Sequence, residues 1–73
     1  MLSWLLGEPY PVLKKVIVNT KTKLAFRGLL WERRGAYLVL REAELLKGKG
    51  ETVAMDGEVA IDAQNVDFLQ VVG

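Results

Sequence analysis

The chain has 73 residues, 51% of them hydrophobic, with ten basic and nine acidic side chains, a net charge of +1, and neither cysteine nor histidine. That length holds one domain, residues 1–73, and such a small monomer buries only about 60% of its unfolded surface. The missing residue types exclude disulfides, thiolate metal sites and histidine-based catalysis, and the near-neutral balance argues against a dedicated polybasic binder.

Residues 1–10 are predicted to form a short N-terminal helical cap. Leu2, Leu5 and Leu6 share a helical face, Ser3 begins the turn, and Gly7 and Pro9 stop it. The alternative is an interaction or membrane-touching tag built on Trp4, too short for more than reversible attachment. Met1 to Leu6 lacks the basic start and small-residue cleavage site of a signal peptide. No apolar run approaches the ~20 residues of a membrane span, and the expected location is cytoplasmic.

Residues 12–72 are predicted to form a barrel. Pro11 ends the lead-in, and Val12 and Leu13 start the first strand, in which Val16 and Val18 alternate with Lys15, Ile17 and Asn19. A polar turn (Thr20, Lys21, Thr22) leads to a second strand. Leu24, Phe26, Gly28 and Leu30 take one face of it, and Lys23, Ala25, Arg27, Leu29 and Trp31 the other. A glycine inside a strand implies a bend or a close backbone neighbour, which assigns one of these to Gly28. After Glu32, Arg33, Arg34 and Gly35 a third strand runs from Ala36 through Leu40 to Leu45, and Lys47–Glu51 is a loop. Asp56-Gly57 permits a two-residue hairpin or one continuous strand, Thr52 to Ile61, bent at Gly57. Val66–Val72 is the last strand. Its apolar residues on both faces (Val66 and Phe68; Leu69 and Val71) predict burial on both.

In this order and spacing the chain resembles the Sm/LSm family from about residue 14 to residue 71. The matching positions are Lys15-Val16 with Val18, then Gly28, then Leu38 to Leu40, and later Gly57, Val59, Ile61, Asn65 and Val66. The resemblance implies an all-β fold: a small, five-stranded, strongly bent antiparallel barrel behind a short helix. It favours the continuous strand bent at Gly57. It also implies a homo-oligomeric ring, hexamer or heptamer, in which the last strand pairs with the fourth strand of the next subunit. Such a ring would bury the surplus apolar surface and remove two open edges.

Family members hold single-stranded RNA with a flat stacking residue, an Asp and an Asn after the second strand, and an Arg-Gly before the last. Here Arg33 falls at the Asp position, Tyr37 at the Asn position, and Asp62-Ala63 replaces Arg-Gly. An acidic side chain there repels phosphate, and only Asn65 keeps the family's residue type. A substitute site is Arg33, Arg34 and Tyr37, two guanidiniums for phosphate and one ring for a base, with Asn65. The bland alternative is a solvated turn with Tyr37 packed at the rim. Lys47 and Lys49 form a secondary basic patch or a merely solubilising loop. Trp31 is either core or an anchor at a protein contact.

No enzyme is expected: no nucleophile has a base partner, and Glu42 with Glu44 read as a solvated edge rather than a carboxylate pair. No cofactor and no metal site is expected. The first functional reading is an Sm-like ring that binds single-stranded RNA or acts as an RNA-chaperone-like scaffold. The alternative is a structural or protein-interaction ring without nucleic acid, and a third option is a different small barrel of SH3-like type.

Overall fold

The computed structural model describes residues 12–72. The helical cap expected at residues 1–10, with Trp4, lies outside the described residues. Six strands follow: β1 (Lys15–Thr20), β2 (Ala25–Arg34), β3 (Tyr37–Leu46), β4 (Thr52–Ala54), β5 (Glu58–Asp62) and β6 (Val66–Val71). They form one antiparallel sheet in the order β4-β3-β2-β1-β6, with β5 also on β3. The first strand begins later than its sequence suggested. Leu13 turns at φ 64 and donates its N–H to the Leu30 carbonyl before the ladder starts at Lys15.

β4 and β5 are the two halves of the expected fourth strand, since both pair antiparallel with β3. Met55, Asp56 and Gly57 leave the ladder between them, and Gly57 makes the bend at φ 70. The hairpin reading of Asp56-Gly57 is therefore excluded.

Bulges produce the curvature, because an unpaired extra residue bends and twists its strand. On β3, Glu42 and Ala43 together oppose Gly28, and Glu42 adopts φ 51. On β2, Trp31 is the extra residue between the Leu30–Leu40 and Glu32–Val39 pairs. Gly28 faces the first bulge. A Cβ on it would lie 3.0 Å from Ala43 Cα and 3.1 Å from the Arg41 carbonyl oxygen. Close backbone approach is thus why this strand carries a glycine.

Val16, Val18, Leu30, Leu38, Leu40, Ala43, Ile61 and Val66 form the buried core, with Phe26, Met55, Val59 and Leu69 packed against it. The last strand departs from its expected burial. Asn19 pairs with Phe68 but Thr20 pairs with Val66, so Asp67 is extra and the faces exchange there. Val66 is buried, Leu69 touches the core, and Phe68 and Val71 stay about half exposed. β6 and the β4–β5 run are the two sheet edges with no further partner among the described residues.

Candidate nucleic-acid interface

Three turns converge at one side of the fold. The β5–β6 turn (Ala63–Asn65) sits between the β2–β3 turn (Gly35, Ala36) and the β1–β2 turn (Lys21–Leu24). Ala63 N–H donates to the Ala36 carbonyl at 2.8 Å, and Lys21 N–H donates to the Asn65 carbonyl at 2.7 Å. Asn65 Nδ2 donates to Thr22 Oγ1 at 3.2 Å. Asp62 caps the middle turn by accepting from Gln64 N–H at 2.9 Å. Its carboxylate thus has a local structural use.

The sequence-derived site residues fall into two groups. Arg33, Arg34 and Tyr37 share the β2–β3 turn, where Arg34 pairs with Tyr37 and Tyr37 with Asp62 across the strands. Tyr37 is 48% exposed, which leaves a ring face for stacking. Arg33 Nε donates to the Gly35 carbonyl at 2.9 Å and so folds back onto its own turn. Arg34 is more heavily engaged: it ion-pairs with Glu32 and, at 3.1 Å, with Glu58. Glu58 also holds Arg41 at 3.0 Å, and the Arg41 guanidinium lies 3.9 Å from the centroid of Trp31. The hydrogen bonds from Arg34, then Arg41, hold the Glu58 carboxyl below its ordinary range, and those to Glu58 and Glu32 push Arg34 up. Trp31 is thus a partly exposed, cation-capped ring on the outer face, not a core residue.

Lys47 and Lys49 lie past the far end of β3, ten and twelve residues from Tyr37, a path of about 30 Å or more. Their neighbour is the β1–β2 turn. Ala25 pairs with Leu46, so the Lys21–Leu24 turn and the Lys47–Glu51 loop leave the same end of the ladder. Lys21 and Lys23, which the sequence presents only as part of a polar turn, therefore join Lys47 and Lys49. Asn65 touches this lysine turn rather than Arg33 or Arg34. The available signal was the Lys21-Thr22-Lys23 alternation, but the register that pairs it with the later loop is not local information.

Glu42 and Glu44 do not form a carboxylate pair. The bulge redirects Glu42, and Glu44 binds Arg27 at 2.6 Å. Among the described residues no group of three or more His, Cys, Asp or Glu is placed to hold a metal ion. A shallow pocket of 410 Å³ at the β4–β5 break is lined by Arg41, Glu42, Met55, Asp56, Gly57 and Glu58, and its three carboxylates disfavour phosphate. Among the described residues no helix is long and apolar enough to cross a membrane.

No protein-family model and no curated protein matches the sequence. Solved structures do match the fold. The P. aerophilum SmAP1 heptamer is 24% identical, with a TM-score of 0.74 over 97% of this chain and 90% of that one. A heptameric archaeal Sm protein matches at 24% identity and TM-score 0.74 over 97% of this chain and 98% of its own. The Pyrococcus abyssii Sm protein in complex with a uridine heptamer is 28% identical, with a TM-score of 0.74 over 97% and 96%. These likenesses replace the SH3-like alternative with an Sm-type barrel.

Proposed function

From the premise that this chain is an Sm-like protein, we propose that it closes into a homo-oligomeric ring and binds single-stranded RNA where its three turns converge. The observation that carries the reading is the bonded junction of Ala36, Ala63, Asn65 and Thr22, which ties the three turns to one another. Tyr37 supplies a stacking ring, Asn65 an amide for a base edge, and Arg33 positive charge, while Glu32 and Glu58 already hold Arg34. The ring forms by pairing of β6 with the β4–β5 edge of the next copy, the two edges left open here. Ring assembly of the P. aerophilum protein and the uridine heptamer on the P. abyssii protein support both parts. The protein is not an enzyme, as befits an Sm fold without histidine or cysteine.

A second reading, a structural ring that contacts only protein, draws on the carboxylates that occupy Arg34 and on Asp62 at the Arg-Gly position. Native mass spectrometry with and without a mixed pool of short single-stranded RNAs separates the two. A closed ring that gains RNA mass is expected. A ring that ignores RNA establishes the second reading, and a monomer overturns the ring itself.

A further inference from the structure

The near-zero net charge hides a strong segregation. From Val12 to Trp31 there are Lys14, Lys15, Lys21, Lys23 and Arg27 and no acid, whereas from Thr52 to Val72 there are Asp56, Glu58, Asp62 and Asp67 and no base. The cations also differ in what they do. Arg27, Arg34 and Arg41 are held by carboxylates, and Arg33 bonds the Gly35 carbonyl. Lys21, Lys23, Lys47 and Lys49 are exposed, and none forms an ion pair with another described residue. All four lie on the two turns at one end of the β2–β3 ladder, where Glu51 is the sole acid.

Two of these lysines sit where the backbone favours glycine. Lys23 has φ 72 and Lys49 has φ 66. The left-handed region is unfavourable for a residue with a Cβ, and such strain points to a use for the side chain. The Lys23 turn is also firmly built. Thr20, 5% exposed, bonds Thr22 Oγ1 at 2.9 Å and accepts from Leu24 N–H at 3.0 Å, while Lys23 N–H donates to the Thr20 carbonyl at 3.1 Å. Thr22 in turn holds Asn65. A rigid turn that bears two ammonium groups next to a base-reading amide is preorganised for a sugar-phosphate chain.

We propose that Lys21, Lys23, Lys47 and Lys49 form the phosphate-binding surface for single-stranded RNA, running outward from Asn65, and that the carboxylate-held Arg34 is not a phosphate contact. This rests on the RNA reading above and reassigns the charge within it. The strand leaves the base site over the β1–β2 turn and crosses to the Lys47–Glu51 loop.

The test is fluorescence anisotropy of a labelled ten-nucleotide oligouridylate against the intact assembly over a series of salt concentrations. Each lysine–phosphate contact contributes roughly 0.7 to the log–log salt slope for single strands. Combining K21Q, K23Q, K47Q and K49Q is expected to flatten the slope by about 2 to 3 and to weaken binding at low salt at least tenfold, while R34Q leaves the slope unchanged. K23G alone is expected to raise the melting temperature, by relieving the backbone, and yet to weaken binding. An unchanged slope in the quadruple variant, with the wild type binding RNA, overturns this assignment and leaves the RNA reading standing. A wild type that binds no RNA overturns both. An equal loss for a DNA duplex of the same length makes the surface a general polyanion site and overturns its assignment to single strands.

Discussion

Arg34 on β2 reaches across the whole width of β3 to Glu58 on β5, with Nη1 to Oε1 at 3.1 Å. Arg34 pairs with Tyr37 and Glu58 with Arg41, so the bridge passes over Val39, midway between them on the same face. Val39 lies outside the core cluster and is nonetheless only 1% exposed. Glu58→Gln is expected to expose Val39 and lower the melting temperature, and Val39→Ala to cost about 2 kcal/mol through lost burial. In the Glu58→Gln background the Val39→Ala penalty shrinks, because the valine is then already partly wet. A double-mutant cycle in urea denaturation measures that coupling.

The same bridge gives the fold an acid-sensitive limb. The Arg34 and Arg41 hydrogen bonds lower the Glu58 carboxyl, and the Arg27 and Thr52 hydrogen bonds lower that of Glu44, each from an ordinary value of 4.5. A carboxyl held lower in the folded state stabilises fully above its unfolded value and loses that contribution as pH falls through the folded one. Arg34 is raised and stays protonated throughout, so it adds no slope in the acid range. Melting temperatures are therefore expected to hold from neutrality to about pH 5 and to fall below it. Both carboxyls reach solvent, Glu44 being half-buried, so high salt shrinks the effect. Glu58→Gln and Glu44→Gln should each flatten the acid limb, and a limb unchanged in both variants would refute its assignment to these pairs.

What the sequence made legible was periodicity, and what it hid was register. Val16, Val18, Leu30, Leu38 and Leu40 alternate plainly and are the buried core. Gly28 could be assigned to a bend or a close backbone approach, because a glycine inside a strand otherwise only weakens it. The bulges at Trp31, Glu42–Ala43 and Asp67 leave no compositional mark, yet each exchanges faces downstream. That is why Phe68 is exposed where alternation with Val66 implied burial. It is also why Glu42 and Glu44 share no site. In the candidate interface, Tyr37 and the two arginines were findable as a turn. That Glu58 on β5 also occupies Arg34 was not, and neither was the placing of the Lys21–Leu24 turn beside the Lys47–Glu51 loop, since both depend on long-range pairing.

Gly28→Ala tests the origin of the bend. The added Cβ meets Ala43 Cα and the Arg41 carbonyl, backbone atoms that cannot swing aside, so the β3 bulge must shift. The expected loss is about 1–3 kcal/mol, the usual range for overpacking. Ala43→Gly removes the neighbouring Cβ at 3.1 Å and should recover only part of it, because the Cα and carbonyl contacts remain. Full recovery would place the strain in the side chain rather than the backbone.

The open edges make the sharpest prediction about assembly. Val53 on β4 is 41% exposed, and Phe68 and Val71 on β6 are 45% and 50% exposed. Apolar residues on two edges unpaired among the described residues are costly in a lone protomer, and that cost is removed when one edge pairs with the other in a closed ring. Val53→Lys and Val71→Lys each place a charge in that contact, from opposite sides. Each is expected to shift the species from ring to protomer in sedimentation velocity. The β-sheet circular dichroism should persist, because neither residue belongs to the core cluster. A head-to-tail contact joins unlike edges, so mixing the two variants leaves half of each protomer intact. Equimolar mixtures should therefore form dimers through the two unaltered edges and go no further. Rings of undiminished size in either variant would show that these edges are not the contact.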